Sequence, residues 1–149
     1  IAIPLVSHRG YHATIQNSNI SLRHMCFPVD YKFAITPMSM GLRIAGTVEF
    51  AGLGHRPNYE RVNKMVESCH TILNELNSEN YTQWMGHRPC LPDSLPIIGE
   101  SQKHPNIFFA FGHGHQGLVG ASQTGKVISE IARRAAPSMP LAPYSIDRF

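Results

Sequence analysis

A glycine-rich turn between an apolar strand and a helix is the feature that most constrains this chain. The apolar run Asn106–Phe111 predicts a buried strand, Gly112-His-Gly-His-Gln-Gly117 predicts a turn, and the pattern up to Arg134 predicts a helix. Glycines let a backbone approach a ligand closely, and the unpaired N–H groups of a helix N-terminus carry about half a positive charge. The turn therefore predicts a site for a cofactor or an anionic substrate.

The same turn satisfies the G-x-G-x-x-G pattern of dinucleotide-binding folds through Gly112, Gly114 and Gly117. That fold needs a second parallel strand after the helix, with an acidic residue at its end about 20 positions on. Here a Pro-rich segment follows the helix in place of a strand. The acidic residue Glu130 lies inside the predicted helix and not at a strand end. A Rossmann domain is therefore not expected within this chain.

The composition is that of a globular protein, with 42% apolar and 15% charged residues among 149. The net charge of +3 is small and its Lys and Arg residues are scattered, which argues against nucleic acid as a partner. No apolar run approaches the ~20 residues of a membrane span. The cysteines Cys26, Cys69 and Cys90 are odd in number and lack C-x-x-C spacing, so a reducing, cytoplasmic location is favoured.

Alternating and apolar runs predict an α+β fold, a mostly antiparallel sheet with one long amphipathic helix across it and a C-terminal helix. The helix is expected over about 58–77, with Asn58 as its N-cap. A short Pro/Gly turn between two of the strands predicts an antiparallel hairpin. The strands are expected at 11–15, 22–27, 31–36, 42–50, 81–85 and 107–111.

Three regions follow from these elements. A sheet region for substrate binding is expected over 1–111, the glycine turn and its helix over 112–135, and a Pro-rich tail over 136–149 that is extended from Pro137 to Pro143. Because the chain begins at Ile1 rather than at Met, we expect it to be a fragment of a longer protein.

Arg88 and the histidines are the side chains most suited to chemistry. Arg88 precedes Pro89 near a strand end, where its guanidinium can bind a carboxylate with two parallel hydrogen bonds; a solvated charge is the alternative. His113 and His115, with His87 as a third ligand, suggest a metal, but flanking glycines hold them loosely and no H-E-x-x-H or Cys/His pair spacing occurs. We expect no metal site, and the absence of G-x-S-x-G argues against hydrolysis.

Three motifs in a fixed order resemble the C-terminal part of the FAD-dependent D-amino acid dehydrogenase, glycine oxidase and sarcosine oxidase (DAO) superfamily. They are Gly86-His-Arg-Pro89, Pro92-Asp-Ser-Leu-Pro-Ile-Ile-Gly99 and Asn106-Ile-Phe-Phe-Ala-Phe-Gly-His-Gly-His-Gln-Gly117. Upstream, Arg9-Gly-Tyr11 and Gly41-Leu-Arg-Ile-Ala-Gly-Thr-Val-Glu49 resemble the substrate-domain strands of that family. The resemblance covers essentially the whole chain.

The resemblance implies an FAD enzyme whose N-terminal Rossmann half, absent from this chain, holds most of the cofactor and is its partner in the site. The glycine turn and the following helix would approach the isoalloxazine ring, so the implied flavin contacts are Gly112, His113, Gly114, His115, Gln116, Gly117 and Leu118. A helix N-terminus there would stabilise negative charge on the reduced ring.

The resemblance also implies substrate contacts. Arg88 occupies the place of the arginine that pairs with the substrate carboxylate, and His115 is expected to be a further substrate contact. Those oxidases carry a Tyr three residues before the Pro of the substrate strand, where this chain has Ala34. The substrate is then expected to be bulkier, or its carboxylate to be held by Tyr11 or Tyr31.

The implied activity is oxidation of the C–N bond of an amino acid, a D-amino acid, by hydride transfer to flavin N5. No side chain is expected to be catalytic, because the protein is expected to contribute to the reaction mainly by positioning the substrate through its carboxylate. One alternative is a secondary-amine (sarcosine- or proline-like) oxidoreductase, and another is a cofactor-free ligand-binding or assembly module. Without the Rossmann half, the isolated chain is expected to be inactive.

Overall fold

The α+β class expected from the sequence is confirmed by a computed structural model, which describes residues 2–149. The regular elements of that part are β1 (Val6–Ile15), β2 (Ala34–Met38), β3 (Gly41–Glu49), α1 (Glu60–His70), β4 (Tyr81–Cys90), β5 (Ile97–Glu100), β6 (Phe108–Phe111) and α2 (Gly117–Ala132). Short 3-10 turns lie at Gly114–Gln116, Ala142–Tyr144 and Ile146–Arg148. Among residues 2–149, no helix has both the length and the apolar character needed to cross a bilayer.

The contacts divide the chain into two compact units. The first unit consists of the residues up to His8 together with Arg88–Phe149, and the second consists of Arg9–His87. Val6–His8 and Arg88–Cys90, which are ends of β1 and β4, belong to the first unit. This grouping differs from the three consecutive regions expected from the sequence.

The second unit is built on a sheet with the strand order β2-β3-β1-β4. Its β2–β3 pair is the predicted antiparallel hairpin, with Met38 opposite Gly41. A Cβ at Gly41 would lie 2.3 Å from the carbonyl oxygen of Ile15, and its φ of +133° also favours glycine. Glycine at this position therefore allows β3 to start directly beside β1.

One face of this sheet and α1 share a single hydrophobic core. Tyr11, Ala13 and Ile15 of β1 lie in this core, because alternate side chains of a strand share a face; Gly10 and Thr14 between them are buried as well. The core joins these three residues to residues of β2, β3 and α1 and to Phe33 and Leu76 in the adjoining segments. Its members are Tyr11, Ala13, Ile15, Phe33, Ile35, Leu42, Ile44, Val62, Met65, Val66, Cys69 and Leu76. The helical periodicity seen in the sequence thus correctly identified the buried side of α1.

The boundaries of α1 are narrower than the predicted range of about 58–77, since the helix runs from Glu60 to His70. Tyr59 is its N-cap, and Asn58 lies outside the helix while its side chain accepts the Glu60 N–H at 3.2 Å. Leu76 is nevertheless buried. The turns that follow His70 place Leu76 in the core. The apolar spacing of the sequence therefore continues beyond the end of the helix.

A strand predicted at residues 22–27 is wrong. The structure has a single bridge there, in which Cys26 and Ile35 exchange backbone hydrogen bonds of 2.9 and 2.8 Å. Met25 and Phe27 on either side of Cys26 are exposed, 58% and 53% respectively. A segment with no buried face gains too little from a longer ladder to pair further.

A buried arginine ties the segment after β3 to β1. Arg9 is fully buried, and its side chain forms a salt bridge with Glu49 at 3.3 Å. Glu49 also accepts a hydrogen bond from the Tyr11 hydroxyl. The Arg9 guanidinium donates to the backbone carbonyls of Gly52 at 2.9 Å, His55 at 2.5 Å and Arg56 at 3.3 Å. This network supplies polar partners to a buried charge that would otherwise be costly.

The first unit contains the antiparallel pair β5–β6, with Ile97 opposite Phe111, and α2 packs on both strands. The expected strand at 107–111 is present as Phe108–Phe111, whereas β5 was not predicted. The C-terminal tail contains two 3-10 turns, the first of which begins at Ala142, within the stretch expected to be extended. Beyond that stretch, Ile146 is buried in a second core against Leu91 and Ile97. The Arg148 side chain also binds Asp93 at 2.7 Å and the Leu95 carbonyl at 2.7 Å.

Candidate functional site

The glycine turn after β6 packs directly against the end of β4. Gly112 has φ +81° and Gly114 has φ +53°, a region that favours glycine. A Cβ at Gly112 would lie 2.6 Å from Leu91 Cδ1, and one at Gly114 would lie 3.0 Å from Cys90 Sγ. Glycine at both positions is therefore favoured by the backbone conformation, and an added Cβ would also press on Leu91 or Cys90.

The N-terminus of α2 follows this turn and has no side-chain cap. Gln116 is the N-cap residue, and its side chain makes no capping hydrogen bond. Gly117 has an ordinary helical φ of −57°, so its backbone conformation does not require glycine. The absence of a side chain there leaves open space in front of the helix end. Leu118 and Val119 beside it are 93% and 79% exposed. An uncapped, partly bare helix end is suited to an anionic or electron-rich group.

A cavity of about 250 Å³ lies between the turn and the end of β4, within the first unit. Two imidazoles meet there, since the rings of His8 and His115 have centroids 5.9 Å apart. No carboxylate is among the residues that line it, which are His8, Cys90, Leu91, Ser94, Gly112, His113, Gly114, His115 and Gln116. The lining thus offers hydrogen-bonding and metal-ligating groups and no negative charge.

Arg88 stands close to this cavity with an unused donor. Its Nη1 atom is buried and has no hydrogen-bond partner among residues 2–149. Its charge acts on two lining residues: it helps to lower the pKa of the His115 imidazole, and it opposes the rise that burial causes in the pKa of the Cys90 thiol. A buried guanidinium nitrogen without a partner is costly in a folded protein. The arrangement is therefore suited to receive an anion.

The protonation states follow from these surroundings. Burial is the main reason that the pKa of His115 lies below its ordinary value of 6.5, with the charges of Arg88 and His8 acting in the same direction. Burial raises the pKa of Cys90, and Arg88 and a backbone hydrogen bond from His8 oppose that rise. At neutral pH the imidazole of His115 is neutral and the Cys90 sulfur carries its proton.

His113 fixes the turn to α2. Its Nε2 lies 2.9 Å from the Thr124 hydroxyl, and its backbone forms a bridge with Cys90. Of the seven residues predicted to contact a flavin, Gly112–Gln116 line the cavity, and Gly117 and Leu118 begin the adjoining helix. These seven consecutive residues form the turn and the start of α2, and their contact with a flavin stays a prediction.

The two tyrosines suggested for the substrate lie in the second unit. The Tyr11 hydroxyl donates to Glu49 and accepts the Asn58 N–H at 3.1 Å, and the side chain is buried. Tyr31 is 44% exposed, and its hydroxyl accepts a hydrogen bond from Thr71 at 2.8 Å. Both hydroxyls therefore have partners within the second unit itself.

His8 and Cys90 are the cavity residues that sequence reasoning missed. Cys90 directly follows the Arg88-Pro89 pair in the sequence. His8 directly precedes the Arg9-Gly10-Tyr11 motif. Adjacency to these motifs was the available signal for both residues.

A larger cavity in the second unit offers less chemistry. It measures about 550 Å³ and lies between the loops around residues 16–22 and 37–42. Its lining contains no histidine, cysteine, acidic or basic side chain. Its polar side chains are uncharged ones such as Gln16 and Asn17, whereas the smaller cavity offers two imidazoles and a thiol beside Arg88, so the smaller cavity is the better candidate for a chemically active site.

The chain is similar to one protein family and to known proteins that act on D-amino acids. The family described as FAD dependent oxidoreductase (DAO) matches residues 1–131. A D-amino-acid oxidase of Bradyrhizobium diazoefficiens is 38% identical over 99% of this chain and 36% of its own length. A D-amino acid dehydrogenase of Vibrio atlanticus is 29% identical over 100% of this chain and 36% of its own length.

Solved structures show the same fold. Glycine oxidase from Geobacillus kaustophilus superposes with a TM-score of 0.84 at 21% identity, over 100% of this chain and 40% of that protein. L-proline dehydrogenase from P. horikoshii gives a TM-score of 0.78 at 20% identity, over 97% of this chain and 40% of the other. The chain thus spans between about a third and two fifths of the length of these relatives.

The family match includes every segment on which the site is built. It contains the end of β4 with Arg88, the turn at Gly112–Gly117 and nearly all of α2. These are also the segments whose motifs carried the resemblance in the sequence. The chain therefore belongs to the FAD dependent oxidoreductase (DAO) family.

Proposed function

We propose that the full-length protein containing this chain is an FAD-dependent oxidoreductase that oxidises the C–N bond of an amino acid, specifically a D-amino acid. The chain would supply the carboxylate contact and part of the flavin contact. Its 38% identity to a D-amino-acid oxidase supports the choice of substrate class. The observation that carries the proposal is the buried Arg88 Nη1, which has no partner among the described residues.

Arg88 would bind the substrate carboxylate. A guanidinium presents two parallel N–H groups that match the two oxygens of a carboxylate. The cavity lining has no carboxylate of its own to compete for this donor. Holding the carboxylate fixes one end of the substrate, so the α-carbon is held in one place and one orientation.

The end of α2 fits a flavin ring. Gly117 and Gly120 are partly exposed and carry no side chains in the first turn of α2, and its N-terminus has no side-chain cap. Bound FAD would supply the two-electron acceptor that takes hydride from the α-carbon at N5. The partial positive charge of the helix end would stabilise negative charge on the neighbouring ring. No side chain of this chain is proposed as a base.

Anaerobic reduction of the flavin tests the activity. The purified full-length protein is mixed without oxygen with D-amino acids, their L-enantiomers, secondary amines such as sarcosine and proline, and the matching decarboxylated amines. We expect D-amino acids to remove the oxidised-flavin absorbance band, and the decarboxylated amines to leave it. Reduction by secondary amines alone would favour the sarcosine- or proline-like alternative, and no reduction by any compound would overturn the proposal.

A valine at Gly117 tests the flavin contact. Within this chain its Cβ would meet only His113 Cβ, at an ordinary 3.5 Å, so we expect Gly117→Val to fold normally. It would occupy the space in front of the helix end, and the full-length variant should purify with less flavin per protein. Gly114→Val is a poorer test, because a positive φ and the nearby Cys90 sulfur would disturb the fold itself.

Gly125→Val is the matched control for this substitution. It lies in the same helix, and nothing is within 4 Å of its added Cβ. The flavin-to-protein absorbance ratio and the far-UV circular dichroism are compared for both variants. Unchanged flavin content in folded Gly117→Val would show that the helix end does not contact the ring.

A further inference from the structure

A cluster of three potential metal ligands lies in the cavity of the first unit. His8 comes from the start of β1, Cys90 from the end of β4 and His115 from the 3-10 turn before α2. Each offers one ligand atom, and these atoms all lie within 4.8 Å of one another. The three residues are separated by as many as 107 positions, so only the fold brings them together.

The separations are close to those of a metal site. Ligand atoms around a tetrahedral Zn²⁺, with bonds of about 2.0–2.3 Å, lie roughly 3.3–3.8 Å apart. Closing the cluster therefore requires movements on the order of 1 Å. His115 is exposed and His8 is half-buried, so rotation of their side chains can supply this movement, while Cys90 stays buried.

The donor set favours a particular class of metal. One thiolate and two imidazoles suit Zn²⁺ and similar transition metals, whereas Mg²⁺ and Ca²⁺ prefer oxygen ligands. We propose that His8, Cys90 and His115 form a three-ligand binding site for Zn²⁺, with the fourth coordination position open to the cavity. This inference does not depend on the proposed oxidation of amino acids.

Cys90 is the essential ligand of this site. The Arg88 charge acts on Cys90 and His115 and would repel a dication that lacked a compensating negative ligand. Metal binding releases the thiol proton and supplies that negative charge as a thiolate. A Cβ at Gly114 would lie 3.0 Å from Cys90 Sγ, so the sulfur lies next to the turn that carries His115.

Cobalt titration of the 149-residue chain tests the site. Co²⁺ replaces Zn²⁺ in such sites and reports its ligands by absorption. The chain is reduced with a non-chelating phosphine and titrated anaerobically. We expect one equivalent of Co²⁺ to produce a thiolate-to-cobalt charge-transfer band and strong visible bands of tetrahedral geometry, and we expect Zn²⁺ to abolish both.

Single substitutions identify the ligands. Cys90→Ser should remove the charge-transfer band, and His8→Ala and His115→Ala should each weaken Co²⁺ binding about tenfold or more. Cys26→Ser is the control, because Cys26 is an exposed thiol of the second unit. Circular dichroism confirms that each variant is folded. A band that survives Cys90→Ser, a band lost in Cys26→Ser, or no thiolate band in the wild-type chain would overturn the site.

A second measurement uses only the wild-type chain. Zn²⁺ should slow the alkylation of Cys90 by iodoacetamide at least about tenfold, since a metal-bound sulfur is a poor nucleophile. Cys26 in the same sample should react at an unchanged rate, as measured by peptide mass spectrometry. Equal alkylation of Cys90 with and without Zn²⁺ would contradict the proposal, even if a histidine or cysteine variant failed to fold.

Discussion

Replacing Arg88 by alanine in the full-length protein is expected to lower kcat/KM for its best amino acid about 100- to 5000-fold. The reason is the loss of an ion pair closed off from water, which costs on the order of 3–5 kcal/mol. Arg88→Lys should recover only part of the activity, because an ammonium cannot reproduce the planar pair of donors. Steady-state kinetics with the amino acid and with its decarboxylated amine measure the effect.

Arg133 provides the control for this experiment. It is exposed, and its Nε donates only to the Ser129 carbonyl at 3.2 Å. Arg133→Ala should change kcat/KM by less than about fivefold, since an exposed arginine contributes less than about 1 kcal/mol. If Arg88→Ala loses less than tenfold, or loses equally on acid and amine, Arg88 does not hold the carboxylate and the amino acid assignment fails.

The second large effect concerns stability. Arg9→Ala is expected to destabilise the second unit by about 3–5 kcal/mol, because Glu49 and three backbone carbonyls would lose their donor. In urea this corresponds to a fall of the unfolding midpoint on the order of 1–3 M. The fluorescence of Trp84, the single tryptophan of the chain, reports this transition because β4 belongs to the unit's sheet.

Arg23→Ala is the matched control, since Arg23 is an exposed arginine of the same unit and its removal should change stability by less than about 0.5 kcal/mol. An Arg9→Ala midpoint within experimental error of the wild type would show that the network does not stabilise the fold. Refolding from urea at several final concentrations provides the reversible transition that this comparison needs.

Acid titration probes the same network from the carboxylate side. The hydrogen bond from Tyr11, followed by those of Arg9 and the charges of Arg61 and Arg9, holds the pKa of Glu49 below its ordinary 4.5. The folded pKa is depressed, so this contribution to stability is present above about pH 4.5 and is lost as the pH falls through the folded value. The difference in midpoint between wild type and Glu49→Gln should therefore shrink from pH 7 to pH 3.

Local patterns predicted the elements whose burial is periodic. The β2–β3 hairpin and the buried side of α1 follow from spacing within a few residues, and both are present. The prediction extended α1 to about residue 77 because burial favours an apolar Leu76 in any backbone conformation, helical or not. The segment 22–27 has strand-like residues and no buried face, so its spacing was misleading.

The candidate site shows a different limit. The glycine turn was recognisable because its turn and helix signals are consecutive in sequence. The residues that neighbour the turn were not recognisable from the sequence, because His8 and Cys90 come near it only when distant segments of the chain pack together. Sequence spacing suggested that His113 and His115 act together. In the structure the His113 side chain contacts the Thr124 hydroxyl, and the His115 ring lies beside the His8 ring. Ligand sets assembled across a fold carry no local period.

The contacts of the C-terminal tail have a consequence for synthesis on the ribosome. Arg148 binds Asp93, 55 residues earlier, and Ile146 completes the core around Leu91 and Ile97. Domains generally fold as they emerge, N-terminal parts first. We expect residues 9–87, which need none of these contacts, to fold first, and the unit that carries Arg88 to complete its core only when Arg148 has left the exit tunnel. Its apolar strands are exposed during that interval, when chaperones can bind them.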